Sequence, residues 1–181
     1  MQLVSQRSKA SVACGNNVIG SPILDMNTRP LILIESPVGP LGLDAEGDAL
    51  ARLVLRPRAT GRRERPSGIL ADVAKQLREY FSGRRQRFDI PLAPAGTPFQ
   101  QEVWNALCEI KCGQTWSYRE LAEHIGRPTA VRAVGAANGQ NPIPIIIPCH
   151  RVIGSNGTLV GFGGGIEMKQ KLLALEGARL F

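Results

Sequence analysis

Residues 141–152 read Asn-Pro-Ile-Pro-Ile-Ile-Ile-Pro-Cys-His-Arg-Val, and the three prolines, Pro142, Pro144 and Pro148, forbid a helix there. Each also pushes the residue before it toward extended backbone. The expectation is a rigid, extended, apolar approach that delivers Cys149 and His150. A thiol becomes a competent nucleophile when a neighbouring base or positive field favours the thiolate. Most cysteines are small buried hydrophobes instead, and Cys14, Cys108 and Cys112 are read that way. Adjacent side chains of an extended segment face opposite ways. His150 therefore reaches the sulfur through a water unless the chain turns. It would also need an orienting acid. Spacing does not fix which one; Glu176, at the end of a helix expected over 166–175, is one of several candidates.

Composition narrows the setting of that pair. A chain of 181 residues, 43% hydrophobic and 20% charged, can bury a core without disulfides or a structural metal. Its longest apolar runs, Leu31–Ile34 and the proline-broken Ile143–Ile147, fall far short of the roughly 20 residues of a membrane span. Arg7 and Lys9 are followed by no apolar run, which argues against a secretory signal. The four cysteines form no CxxC and no zinc-ribbon spacing, so a reducing, intracellular compartment is expected. The net charge of +7 suits a polyanionic partner. Much of it sits in Arg56–Arg58–Arg62–Arg63–Arg65 and Arg84–Arg85–Arg87, read as solvated loops that can add non-specific attraction to phosphates.

Along the chain, residues 1–28 lack apolar periodicity and read as a loosely ordered leader. Short apolar stretches at 31–34, 41–43 and 50–55, with a turn over 44–48 containing Gly47, predict an antiparallel hairpin or meander. Leu70, Val73, Leu77, Tyr80 and Phe81 share one face of a helix that starts near Ser67 and stops at Ser82–Gly83. Phe88–Ile90–Leu92 resembles another strand, and residues 93–96 read as a linker. The first domain is thus a small α+β unit over 29–92, and the second, over 97–181, is mainly helical. Thr97–Pro98–Phe99–Gln100 is an N-cap, a first-turn proline and a capping-box Gln, opening a helix that Gly113 ends. Ser117 with Glu120 is a second capping box. His124, on the helix that follows, reads as a surface or capping residue.

That helix halts at Gly126, Arg127–Pro128–Thr129 turns, and a helix over 130–138 follows, which is a helix-turn-helix pattern. Arg132 stands there among small residues, so the backbone can approach a phosphate or a groove closely. The same alanines and glycine also permit tight helix packing, and spacing alone leaves both readings standing.

Pro148-Cys149-His150-Arg151-Val152, preceded by Asn141-Pro142, resembles the active-site signature of O6-alkylguanine-DNA alkyltransferases. The likeness continues through Phe99-Gln100, Val103-Trp104, Thr115, Ser117-Tyr118, Arg132-Ala133-Val134-Gly135, Ala137-Asn138, Gly164-Gly165, Lys169, Leu172-Leu173 and Glu176-Gly177. Ser36–Leu41 is a weaker match to the family's opening hairpin. The resemblance implies a ribonuclease-H-like N-terminal domain and a helical C-terminal domain carrying a helix-turn-helix. It implies single-turnover, irreversible transfer of an alkyl group from O6 of a flipped guanine to Cys149, without metal or cofactor. His150 would deprotonate the thiol through a water, Glu176 would orient His150, and Asn141 would support the turn. Tyr118 would donate a hydrogen bond to N3 of the guanine, and Arg132 would fill the gap left in the duplex. Pro144 and the 160–165 loop would wall the pocket. Ser117, Thr129, Ala133, Ala136, Gly163 and Lys169 join the expected substrate- and DNA-binding set.

The implied partner is double-stranded DNA carrying O6-alkylguanine, with O4-alkylthymine a poorer substrate. It would be bound from the minor groove by a monomer, singly or cooperatively, in the cytoplasm (at the nucleoid of a prokaryote) or in a eukaryotic nucleus. Lys111 stands where the family often has proline, and Phe162-Gly163 where some members have Tyr-Ser, which removes a hydroxyl contact to the base. The 30–92 region has neither cysteine nor histidine, so no zinc site is expected. Three rivals remain: a non-catalytic alkyl-lesion recognition protein, which the presence of Cys149 opposes; a cysteine hydrolase, which lacks an evident oxyanion motif; and a helix-turn-helix regulator.

Overall fold

The computed structural model describes residues 31–57 and 64–178. The expected leader, Cys14, and Arg58, Arg62 and Arg63 lie outside them. The N-terminal sheet is the predicted meander, β1 (Ile32–Ile34), β2 (Leu41–Glu46) and β3 (Ala49–Leu55), antiparallel in the order β1-β2-β3. Leu41 pairs with Leu55 and Leu43 with Leu53 across β2 and β3, which sets apolar side chains on one face. The turn is tighter than expected: only Gly47 and Asp48 connect the strands, and Asp44 and Ala45 stay in β2 at a register shift.

Helix α1 (Ile69–Phe81) lays Val73, Ala74, Leu77 and Tyr80 against that face. The strand expected over Phe88–Leu92 does not form. Leu92 makes a single bridge to Leu50, with Leu50 N–H donating to Pro91 O and Ala93 N–H to Leu50 O. Pro91 and Pro94 lack the amide donors that a longer ladder needs.

Helix α2 (Pro98–Leu107) has the predicted capping box, with the Thr97 side chain accepting from Gln100 N–H and the Gln100 side chain accepting from Thr97 N–H. It ends at Leu107, well before Gly113. Its last turn tightens, with Glu109 N–H donating to Ala106 O and Ile110 N–H to Leu107 O. Ile110 thereby stays buried with Val103 and Leu107 although the helix has stopped.

A two-residue strand, β4 (Trp116–Ser117), pairs in parallel with β5 (Val152–Ile153). This joins the entrance of α3 (Tyr118–His124) to the residues just after the Cys-His-Arg string. Ser117 caps α3 in the second predicted box. Helix α4 (Val131–Gly139) buries Val134, Ala137 and Asn138, and α5 (Ile166–Leu175) buries Met168, Lys169, Leu172 and Leu173. One core of buried side chains runs from the sheet to α5. Among the described residues no helix is long and apolar enough to cross a membrane, and no group of three or more His, Cys, Asp or Glu could hold a metal ion.

Candidate active site

The proline-rich segment is not extended. Ile147 N–H donates to Ile143 O at 2.9 Å, closing a compact loop. Asn141 holds it from inside: its Nδ2 donates to Ile147 O at 2.8 Å and its Oδ1 accepts from Ile143 N–H at 2.9 Å. Within the loop Ile145 has φ +76°, a left-handed conformation strained for a β-branched side chain. Such strain is of order 1–3 kcal/mol and persists only where the surroundings over-determine it. Prolines rule out helix but not a turn, and the Asn141 amide supplies the bonds that select one. The N-terminal sheet adds another, Leu53 N–H to Pro142 O at 2.9 Å.

The loop ends in a 3-10 turn over Cys149–Arg151, so the chain bends at the Cys–His pair. Cys149 is 5% exposed and His150 is fully buried. Burial pushes the Cys149 thiol up to about 11, opposed by the Asn141 amide, the Lys169 ammonium and the backbone N–H groups of residues 149 and 150. The resting sulfur is therefore a thiol that needs a base. Burial also holds the His150 imidazole below its ordinary value, against the pull of Glu176, so the ring rests neutral.

His150 Nε2 lies 2.9 Å from Glu176 Oε1, which fixes that nitrogen as the protonated one beside a carboxylate. His150 Nδ1 is buried with no hydrogen-bond partner in the protein. Burial would raise the Glu176 carboxyl, but hydrogen bonds from His150 and Arg151 win and hold it far below the usual range. Arg151 grips Glu176 with Nε on Oε2 and Nη2 on Oε1, each at 2.9 Å, and donates Nη1 to Ile110 O.

The predicted residues divide into three places. Cys149, His150, Glu176 and Asn141 meet at the loop, with buried Pro144 inside it. Tyr118, the first residue of α3, lies between α4 and the 160–165 loop: a Cβ at Gly135 would sit 3.7 Å from its ring and one at Gly161 3.7 Å from its hydroxyl. Burial raises its phenol, and the nearby Cys149 adds to that. Arg132, Ala133 and Ala136 are exposed on α4, Thr129 is exposed in the turn before it, and Gly163 is exposed in its loop.

Lys169 departs from expectation. It is fully buried, and its Nζ donates to Val152 O at 2.6 Å, Val160 O at 2.7 Å and Gly161 O at 3.4 Å. It therefore cannot touch DNA; it ties the loop beside Tyr118 to β5. Ser117 accepts from Glu120 N–H as a cap. His124 is at the surface as expected, 3.0 Å from Glu109 and against the Trp116 ring.

Sequence reasoning missed Arg151 and Tyr80. Arg151 follows His150 directly, and an arginine beside a candidate relay was a signal to seek its carboxylate. Tyr80, 96 residues from Glu176, donates its hydroxyl to Glu176 Oε1 at 2.7 Å, and no spacing announced it.

A buried, base-flanked thiol beside an exposed helix-turn-helix defines a DNA-binding protein that carries its own nucleophile. Comparison with known proteins narrows that class. Residues 31–94 match the family model described as 6-O-methylguanine DNA methyltransferase, ribonuclease-like domain, and residues 98–178 the DNA binding domain of the same family. A methylated-DNA–protein-cysteine methyltransferase of Methanosarcina barkeri is 49% identical over 150 residues, covering 80% of this chain and 94% of that one. The structure of Mycobacterium tuberculosis OGT in complex with DNA is similar with a TM-score of 0.74 at 47% identity, covering 82% of this chain and 93% of that one. An O6-methylguanine DNA methyltransferase from Methanococcus jannaschii is similar with a TM-score of 0.57 at 26% identity, covering 83% and 95%. The chain belongs to the 6-O-methylguanine DNA methyltransferase family.

Proposed function

We propose that this protein repairs O6-alkylguanine in DNA by taking the alkyl group onto Cys149 in a single, irreversible turnover. The observation that carries the reading is the His150 ring, held by Glu176 at Nε2 and carrying a buried, unpartnered Nδ1, in the residue that directly follows a thiol that burial keeps protonated. Nδ1 takes the thiol proton, through a water. The sulfur attacks the alkyl carbon in line, the carbon–O6 bond breaks, and its electron pair stays on the guanine oxygen. Tyr118 donates to N3 and neutralises the charge that develops on the base. The product is a thioether, so Cys149 is consumed, and the atom balance calls for no redox partner.

A base inside the duplex is out of reach of a buried sulfur, so it must be rotated out at a cost of a few kcal/mol. Helix α4 enters the minor groove, Arg132 fills the vacated stack, and Thr129, Ala133 and Ala136 lie along the backbone. Ser117, Pro144 and Gly163 line the path of the base, and the Gly163 N–H reaches O6. O4-alkylthymine fits the same chemistry less well. The protein acts as a monomer wherever the DNA of its cell is kept.

Incubation with a duplex containing one O6-methylguanine tests this by intact-protein and peptide mass spectrometry. The expected result is one added methyl group, on Cys149, with reaction stopping at one equivalent. Multiple turnover, or methylation at Cys14, Cys108 or Cys112, would defeat it.

A further inference from the structure

We propose that Tyr80, on the N-terminal helix α1, is a positioning residue of the alkyl-transfer relay, setting through Glu176 the basicity of His150. The inference rests on the reading of Cys149, His150 and Glu176 given above. Its ground is geometric. Glu176 Oε1 accepts three hydrogen bonds, from Tyr80 Oη at 2.7 Å, His150 Nε2 at 2.9 Å and Arg151 Nη2 at 2.9 Å. Its Oε2 accepts from Arg151 Nε. The Glu176 side chain is 1% exposed and Tyr80 is 1% exposed, so bulk water cannot replace a lost donor.

Tyr80 packs against two aromatic rings, Phe81 edge-on and Phe88 tilted, each with its centroid 5.3 Å away. The phenol thus has a fixed direction. Burial and the Glu176 carboxylate keep it protonated far above its ordinary range, so it stays a donor throughout the working pH of the protein.

The sign of its effect follows from the shared acceptor. Every hydrogen bond donated to Oε1 withdraws negative charge from the atom that stabilises the His150 imidazolium. Tyr80 therefore lowers the basicity of His150 and keeps the ring neutral, ready to accept the Cys149 proton, to lower pH. The other charged or titratable groups around the relay are Arg151 on the same turn, Lys169 on α5, Cys149 itself, and Cys112, whose thiol is raised by burial and by Glu176. All of them are unchanged when only the phenol is altered.

The test measures single-turnover alkylation of the full chain by the free base O6-benzylguanine, without DNA, from about pH 4 to 8, a range that reaches below the ordinary histidine value because burial lowers His150. In the wild-type protein the rate falls on the acid side as His150 becomes protonated. For Tyr80→Phe that acid limb is expected to move up by about half a pH unit, a roughly threefold loss of rate on the limb with little change above it. Site-specific 3-fluorotyrosine at position 80, a stronger donor of nearly the same shape, should move the limb down, and it carries the test if the phenylalanine variant does not fold. A merely structural tyrosine would lower the rate equally at all pH values and leave the limb in place; that result overturns the proposal. A wild-type rate without an acid limb would overturn the His150 relay itself, which separates the two failures.

Discussion

The N-terminal and C-terminal halves bury different things. Among the described residues the sheet domain hides apolar side chains and one buried polar group, Asp44. The C-terminal domain hides Asn138, His150, Arg151 and Lys169 along with its own apolar core. Removing charge from water is costly unless each ion is paired and hydrogen-bonded. Arg151 meets that condition with Glu176 and Ile110 O, whereas Lys169 is hydrogen-bonded by three carbonyls without an ion pair among the described residues, and burial lowers its ammonium to about 8. The contrast teaches where selection acts: a domain optimised for stability alone would fill such positions with leucine. In the proposed reaction the buried charges of the C-terminal domain surround the nucleophile, and the sheet domain supplies apolar packing behind them together with the Tyr80 hydroxyl donated to Glu176.

Substitutions can break that contrast. The largest effect is expected at His150. His150→Ala should slow alkylation of Cys149 by about 10²- to 10⁴-fold, the usual contribution of a general base. Because His150 is fully buried, the variant should also lose stability to the cavity left behind, so the rate is read on the folded fraction, and an unchanged rate there would make His150 a structural residue. Leu43→Ala tests the other half. Leu43 is fully buried in β2, and the loss should be about 2–5 kcal/mol in denaturant unfolding, with the alkylation rate of the folded fraction unchanged. A smaller loss would mean that the sheet contributes little to stability.

Arg132→Ala sharpens the comparison within the C-terminal domain, because its side chain is exposed and outside the relay. Repair in duplex DNA should slow about tenfold more than reaction with O6-benzylguanine, since a stack must be broken only in the duplex. Equal slowing with both substrates would assign Arg132 to the fold. Thr97→Ala is expected to be the mildest, costing about 1 kcal/mol through loss of the α2 cap. Thermal unfolding reads it directly, and no change in midpoint would show that the capping box at Thr97 and Gln100 is redundant.

The regular elements were legible where a local rule is decisive. Both capping boxes, the α1 stripe and the α5 boundaries follow from residues a few positions apart. The same rules failed at Phe88–Leu92, where apolar alternation looked like a strand but the neighbouring prolines withheld donors. They failed again at 141–148, where proline was read as extended and the Asn141 side chain instead folds the segment on itself. The Cys–His pair and Asn141 were visible because they share one string of sequence. By spacing Glu176 was one of several acids and only the resemblance singled it out, while Tyr80 was not visible at all, since its role depends on how α1 docks against the other domain. Lys169 was assigned by resemblance to the surface that binds, and burial places it behind that surface.

Trp104 has a mechanical consequence. Its indole Nε1 donates to Ala137 O at 2.9 Å, and Gln100 Nε2 donates to Gln140 Oε1 at 2.6 Å, so α2 grips the C-terminal half of α4 at two points. Arg132 is exposed near the opposite end of the same helix. Helix α4 is therefore clamped like a beam at its C-terminal half, so in the proposed reaction Arg132 would act from a lever anchored to the body of the C-terminal domain.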